Sequence, residues 1–145
     1  MALERKASAT WTGDVRGGNG RFTMSSGMLK DAPYSFATRF ENAPGTNPEE
    51  LIAAAHAACY SMALAATMGG RGLQPQEVRT DATCIVEPQS GGGFKITRMR
   101  LHTTASVPGL NDDKFQEIAQ AAEAACPVSN ALRGGVSIEL TARLG

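Results

Sequence analysis

Apolar and polar residues alternate along most of the first 40 positions of the chain. The apolar positions form three sets: Ala7, Ala9 and Trp11; Phe22 and Met24; and Tyr34, Phe36 and Ala37. A spacing of two places side chains on one face of a strand. The glycine-rich stretch GGNG at 17–20 and the turn SSG at 25–27 separate the sets. We therefore expect three short antiparallel strands in this part of the chain.

A long apolar segment follows a loop at 42–46 and has the signals of a helix. Asn47 is a good N-cap residue, Pro48 suits the first helical position, and Glu50 lies three residues after the cap, as in a capping box. The segment reads NPEELIAAAHAACYSMALAA, and we expect the helix to end near Met68, before two glycines. Because it is alanine-rich and apolar on nearly every side, we expect it to be enclosed by protein.

The second half of the chain repeats both patterns. Residues 77–87 and 94–107 alternate and predict two strands, and residues 136–144 predict a last one. Between them, Asn111 caps an alanine-rich helix that ends near Cys126, since Pro127 disfavours helical geometry in the residue before it. The stretch PVSNAL that follows is expected to be a short turn. The order βββ-α-ββ-α-β predicts an α+β fold with mostly antiparallel sheets, in a single domain over residues 1–145.

Composition narrows the classes of function. With 14 basic and 14 acidic residues the chain has no net charge, and no basic stripe indicates a nucleic-acid partner. No apolar run approaches the roughly 20 residues needed to span a bilayer, and the charged N-terminus does not resemble a signal peptide. We expect a cytoplasmic protein with no membrane partner. A second copy of the chain covering the apolar helices would form a homodimer.

The three cysteines carry the candidate chemistry. Cys84 shares a predicted strand face with valines and is interpreted as a core residue. Cys59 lies in the middle of the long helix, where burial raises the pKa of a thiol, so its reactivity requires a cation from elsewhere. If a helical turn starts at Pro127, Cys126 is its N-cap, a position that favours a thiolate. The helix that ends at Cys126 is expected to pack on the Cys59 helix, so the two thiols could meet.

His56, one turn before Cys59, leaves alternatives open. With Cys59 and Cys126 it would supply three ligands for zinc, without the compact spacing of known zinc sites. As a general base for Cys59 it lacks an evident orienting partner. Neither reading is favoured, and no metal or cofactor is expected.

Several motifs, taken in order along the chain, resemble the OsmC/Ohr family. They are GTNPEEL at 45–51, AAHAAC at 54–59, SMAL at 61–64 and CPVS at 126–129, with WTGD at 11–14 and PYSFATRF at 33–40 resembling the OsmC branch. The arginine that the Ohr branch carries in its glycine-rich turn has no match in GGNG, and Arg21 is out of register. The resemblance covers essentially the whole chain.

The resemblance implies a thiol-dependent peroxidase that reduces organic hydroperoxides in stress defence, as an intertwined homodimer with sites at the subunit interface. It assigns Cys59 as the peroxidatic thiol and Cys126 as the resolving thiol, which form a disulfide during turnover. It also assigns Arg39 as the cation that stabilises the thiolate and peroxide, and Glu49 as the residue that orients Arg39. An external dithiol, such as a lipoylated protein, would be the reductant. The alternative is a non-catalytic stress or ligand-binding protein with structural cysteines.

Helix geometry adds a constraint on Glu49. Ten residues separate it from Cys59, which is about 15 Å along a helix axis. If both serve one site, Glu49 is expected to come from the partner chain. Glu50 is interpreted as a capping residue. An apolar substrate pocket is predicted from residues near the site: Tyr34, Phe36, Phe40, Met62 and Met68.

Overall fold

Ten elements follow one another in the computed structural model, which describes residues 1–145. They are β1 (Ala7–Thr12), β2 (Asn19–Met24), β3 (Ala32–Tyr34), α1 (Phe36–Phe40), α2 (Pro48–Gly69), β4 (Glu77–Pro88), β5 (Phe94–Ser106), α3 (Asp112–Ala125), α4 (Pro127–Leu132) and β6 (Ser137–Leu144). The α+β class is confirmed, with two short helices more than the sequence predicted. The chain divides into two compact units, residues 1–51 and 52–145.

The first unit contains a three-stranded antiparallel sheet in the order β1-β2-β3. Gly20 lies opposite Trp11 on one side and Tyr34 on the other. A Cβ atom at Gly20 would lie 2.4 Å from the Tyr34 ring and 2.8 Å from the Trp11 ring. The glycine therefore lets these two rings, whose centroids are 5.6 Å apart, approach each other over the middle strand.

The predicted third strand stops earlier than its alternation indicates. Ser35 is the N-cap of α1, and a capping box closes around it: Thr38 N–H donates to Ser35 Oγ at 3.2 Å, and Ser35 N–H donates to Thr38 Oγ1 at 2.9 Å. These two local hydrogen bonds favour a helical turn over continued strand pairing. The prediction of a strand through Phe36 and Ala37 is therefore wrong, and both residues are helical.

The second unit has a three-stranded sheet in the order β4-β5-β6. Strands β4 and β5 are antiparallel, with a register shift between Ile85 and Val86, whereas β6 pairs with β5 in parallel. The expectation of antiparallel pairing fails at β6. Parallel neighbours need a long crossover, usually helical, and α3 and α4 lie between these two strands in the chain.

Helices α2 and α3 contribute the largest buried side chains of the second unit. Tyr60, Leu64 and Met68 of α2 recur every fourth residue and are fully buried in one cluster with Phe115 and Ile118 of α3. The Tyr60 hydroxyl donates to the Ala119 carbonyl at 3.0 Å. The opposite side of α2 is apolar too but exposed: Ala54, Ala55, Ala58, Met62 and Ala66. The expectation that protein encloses α2 is therefore confirmed for one face of the helix within this chain, and the other face is exposed.

Helix α2 also bears on the expectation that no segment could span a membrane. It has 22 residues and contains a stretch with a mean hydropathy of 1.5, so it is long and apolar enough to cross a bilayer. The expectation is therefore wrong on length and hydropathy. A core helix passes the same test, so length and composition alone assign no membrane role to α2.

Candidate active site

Arg39 and Glu49 form an ion pair within residues 1–51. Arg39 lies in the last turn of α1 and Glu49 in the first turn of α2. The guanidinium donates from Nη2 to Glu49 Oε1 at 2.5 Å and from Nε to Oε1 and Oε2 at 3.2 and 3.3 Å. Glu49 is only 7% exposed, so its carboxylate depends on this partner. The two residues pair in one chain, so Glu49 does not have to come from a partner to orient Arg39.

Asn47 connects the two helices that carry this pair. Its Oδ1 accepts a hydrogen bond from Glu50 N–H at 2.7 Å, which is the predicted N-cap of α2. Its Nδ2 donates to the Thr38 carbonyl in α1 at 2.9 Å. The sequence predicted the first bond but gave no signal for the second. The Glu50 carboxylate accepts from the Thr46 hydroxyl at 2.7 Å, in place of the backbone contact of a capping box.

An aromatic pocket of about 230 Å³ surrounds Arg39 in the same unit. Three of the residues predicted to form a pocket line it: Tyr34, Phe36 and Phe40. Trp11 and Val15, which were not predicted to line it, complete the wall. The Arg39 guanidinium carbon lies 4.8 Å from the centre of the Phe40 ring, a cation–π contact. Arg39 is therefore held by a carboxylate and by an aromatic face, while 35% of its side chain stays exposed.

Cys59 lies in a second, separate cavity, within residues 52–145. This cavity has a volume of about 470 Å³ and mostly apolar walls: Cys59, Met62, Ala63, Ala66, Thr67, Ala125 and Pro127. Met62 lines this cavity, whereas the predicted aromatic residues line the one around Arg39. Met68 does not line this cavity, because it is fully buried in the core cluster.

Cys126 lies against Cys59 at the junction of α3 and α4. It ends α3 and is the N-cap of α4, which starts at Pro127, so the stretch PVSNAL is a helix and not a simple turn. Cys126 is fully buried. Its thiol is in hydrogen-bonding contact with the Cys59 thiol, and the Val128 N–H, in the first turn of α4, donates to Cys59. All cysteines of the chain carry thiols in this structure.

The surroundings of Cys59 do not by themselves favour a thiolate. Burial raises the pKa of the Cys59 thiol, the Val128 N–H lowers it, and the neighbouring Cys126 thiol raises it further. The net direction is upwards from the ordinary value of a thiol. The contacts described for Cys59 within residues 52–145 therefore bring two thiols and one N–H donor together, but no cation.

His56 is fully buried one turn before Cys59. Its Nε2 lies 2.7 Å from the Ser129 hydroxyl oxygen in α4, and its Nδ1 has no hydrogen-bond partner. Burial lowers the pKa of His56, against a smaller raising effect of Glu123. With Nε2 bonded to Ser129, the ring is not arranged as a base for Cys59 through that nitrogen. The role of Ser129, 73 residues away, was not found from the sequence.

Two other residues considered in the sequence lie apart from these contacts. Cys84 is partly buried on β4 opposite Met99 and is not among the residues of the core cluster, so its interpretation as a core residue is met only in part. Arg21 donates from Nη1 to the Asp31 carbonyl at 2.8 Å.

Comparison with known proteins adds to this geometry. The family model for OsmC-like protein matches residues 40–141. The chain is 42% identical over 139 residues to Peroxiredoxin OsmC from Escherichia coli, covering 96% of both chains. It is 33% identical over 144 residues to an organic hydroperoxide resistance protein from Xanthomonas axonopodis pv. citri, covering 97% of this chain and 99% of the other. A crystal structure of an organic hydroperoxide resistance protein from Elizabethkingia anophelis superposes with a TM-score of 0.77 at 27% identity and full coverage of both chains. The chain belongs to the OsmC-like protein family.

Proposed function

We propose that this protein is a thiol-dependent peroxidase that reduces organic hydroperoxides to alcohols through Cys59, in defence against oxidative stress. The observation that carries the proposal is the contact between the Cys59 and Cys126 thiols beside an apolar cavity. A peroxidatic thiol needs access to substrate, and a resolving thiol must reach it. The names of the relatives in Escherichia coli and Xanthomonas point to the same activity.

The reaction proceeds in balanced steps. The Cys59 thiolate attacks the terminal peroxide oxygen, the O–O bond breaks, and the alkoxide takes a proton to leave as an alcohol. Cys59 becomes a sulfenic acid, oxidised by two electrons. The Cys126 thiol then gives up its proton and attacks this sulfur, which forms the Cys59–Cys126 disulfide and releases hydroxide, and the hydroxide takes the proton from Cys126 to leave as water. An external dithiol reduces the disulfide by thiol exchange and is itself oxidised to a disulfide.

Arg39 is proposed as the cation that Cys59 lacks. A guanidinium lowers the pKa of a nearby thiol and donates hydrogen bonds to a peroxide. The bidentate contact with Glu49 fixes the orientation of Arg39 and leaves its Nη1 outside the pair. Because Arg39 and Glu49 pair in one chain, and helix rise keeps Glu49 about 15 Å from its own Cys59, the pair is proposed to serve the Cys59 of a partner chain.

A homodimer is part of this proposal. The exposed face of α2 is made of alanines and Met62, whose side chain is 77% exposed. Small residues let helices approach closely, and a second copy would remove this face from water. Light scattering on the purified protein is expected to give the mass of a dimer. Replacing Ala58 on the exposed face by Arg should shift the mass to that of a monomer, and a monomeric wild-type protein would contradict the composite site.

Substrate preference follows from the apolar cavity walls. Alkyl and lipid hydroperoxides bury apolar surface there, whereas hydrogen peroxide does not. We expect cumene hydroperoxide to be reduced with a higher kcat/KM than hydrogen peroxide, and equal values would argue against this preference. The protein is proposed to act in a reducing compartment, the cytoplasm. A dithiol reductant such as a lipoylated protein is proposed to reduce the disulfide and complete the cycle.

One experiment tests the activity. The reduced protein is treated with one equivalent of cumene hydroperoxide, and its thiols are mapped by mass spectrometry. A Cys59–Cys126 disulfide is expected in the wild type and in the matched control Cys84→Ser, and a sulfenic acid on Cys59 in Cys126→Ser. If the thiols stay unchanged, the peroxidase proposal fails and the alternative of a non-catalytic ligand-binding protein is favoured.

A further inference from the structure

The hydrogen bond between His56 and Ser129 has no place in the steps above, although it joins the two helices that carry the reacting thiols. Both side chains are fully buried, and the bond spans 2.7 Å between Nε2 and Oγ. The other ring nitrogen, Nδ1, has no partner. An apolar side chain would fill this core position without leaving a polar atom unsatisfied, so packing alone does not account for the imidazole.

His56 and Ser129 each lie three residues from one of the two thiols. His56 precedes Cys59 by three residues on α2, and Ser129 follows Cys126 by three residues at the start of α4. His56 and Cys59, three apart within α2, lie on the same face of that helix, and Ser129 is the third helical residue after the N-cap Cys126. The contact of His56 with Ser129 therefore runs beside the contacts of Cys59 with Cys126 and with the Val128 N–H.

Other hydrogen bonds of α4 hold it to α3 instead. Asn130 Nδ2 donates to the Ala124 carbonyl at 3.0 Å, and Arg133 Nη2 donates to the Glu123 carboxylate at 2.7 Å. These bonds fix α4 at the end of α3 but do not set its separation from α2. Two hydrogen bonds join α4 to α2, and one of them, from the Val128 N–H, ends on the Cys59 sulfur, whose chemistry changes during turnover. The His56–Ser129 bond involves no reacting atom.

We propose that His56 and Ser129 are positioning residues that hold the start of α4 against α2, so that Cys126 reaches the Cys59 sulfenic acid before a second peroxide does. The inference rests on the peroxidase function proposed above. In this step the Cys126 sulfur forms the S–S bond, the Cys59 S–O bond breaks, and hydroxide leaves as water with the Cys126 proton. The competing step oxidises the sulfenic acid to sulfinic acid and reduces a second hydroperoxide to an alcohol.

The test measures how the sulfenic acid divides between these two fates. Reduced protein is mixed with increasing cumene hydroperoxide, and mass spectrometry gives the ratio of Cys59–Cys126 disulfide to Cys59 sulfinic acid. This ratio does not depend on how fast the sulfenic acid forms. In Ser129→Ala we expect the ratio to fall by roughly tenfold, because a loss of alignment of about an ångström slows a reaction between two held groups by at least that much.

Tyr60→Phe is the matched control. It also removes one buried hydroxyl that bonds α2 to a neighbouring helix, but the bond is to the Ala119 carbonyl of α3 and not to a residue of α4. Its ratio is expected to equal that of the wild type. Should Ser129→Ala not fold, as judged by circular dichroism, His56→Asn carries the same test, since the shorter amide does not reach Ser129. The double variant should be no worse than the worse single one, as expected for two ends of one bond.

The outcomes separate the two proposals. A wild-type protein that forms no Cys59–Cys126 disulfide overturns the peroxidase function, and the positioning role with it. A wild type that forms the disulfide, with an unchanged ratio in folded Ser129→Ala or an equal fall in Tyr60→Phe, overturns the positioning role alone. A fall confined to the His56 and Ser129 variants supports it.

Discussion

The two halves of the proposed chemistry are built in different ways. In residues 1–51, Arg39 has a nearly buried carboxylate on one side and an aromatic ring against it, so the cation is held before any substrate binds. In residues 52–145, the Cys59 thiol is close to its resolving partner, but burial raises its pKa above the ordinary value. One unit thus has a prepared charge and no nucleophile, and the other has a nucleophile without a charge. We therefore predict that neither is active without the other, and the variants below test that division.

Removing the nucleophile should have the largest effect. In Cys59→Ser the hydroxyl cannot form a thiolate or a sulfenic acid, so hydroperoxide reduction is expected to be abolished. The assay follows loss of cumene hydroperoxide with dithiothreitol as the dithiol. Cys84→Ser, on a strand of the same unit, is the control and should keep wild-type activity. Residual turnover in Cys59→Ser would show that another group reacts.

Removing the cation should have the next largest effect. Arg39→Gln leaves the Glu49 carboxylate nearly buried without a partner and takes away the charge proposed for the peroxide. We expect kcat/KM for cumene hydroperoxide to fall by on the order of 100-fold, the range seen when one preorganised donor is lost from an active site. Arg39→Lys should retain part of the rate, because it keeps the charge but not the bidentate geometry. If Arg39→Gln and the wild type have equal rates, the ion pair between Arg39 and Glu49 takes no part in hydroperoxide reduction.

The pH dependence of Cys59 sharpens the comparison further. Without a cation, burial leaves the pKa of Cys59 above the ordinary value, whereas a nearby guanidinium favours the thiolate and lowers that pKa. Alkylation of Cys59 by iodoacetamide, followed from neutral to alkaline pH, should therefore reach its half-maximal rate at a higher pH in Arg39→Gln than in the wild type. The same midpoint in both proteins would mean that Arg39 does not act on the thiolate.

Local signals predicted much of what carries the site. Asn47 and Pro48 predict the start of α2. For PVSNAL the sequence predicts only a short turn, with Cys126 as an N-cap on the condition that a helix starts at Pro127, as it does. Two local signals conflict at Phe36: the alternation of apolar residues predicts a strand, but the hydrogen bonds between Ser35 and Thr38 form a helix. Contacts between distant residues left no such trace. The parallel pairing of β6 and the bond from His56 to Ser129 depend on how helices return along the chain, which no local pattern records.

The smallest expected effect comes from Asn47, and it tests whether this residue supports Arg39 in addition to capping a helix. Asn47 and Asn111 both cap helices through Oδ1, at 2.7 Å to Glu50 N–H and 2.9 Å to Lys114 N–H, but only Asn47 is seen to donate its amide to a second helix, at the Thr38 carbonyl. Asn111→Ala should lower the free energy of unfolding in urea by about 1 kcal/mol, the usual effect of losing an N-cap. Asn47→Ala should cost about 1 kcal/mol more, because the partly buried Thr38 carbonyl also loses its donor.

Since Thr38 precedes Arg39, Asn47→Ala should lower peroxidase activity in the folded protein as well, whereas Asn111→Ala should not. If Asn47→Ala and Asn111→Ala lose the same stability and both keep wild-type activity, then the Asn47 cap does not affect the position of Arg39. In that case Glu49 and Phe40 alone align the guanidinium.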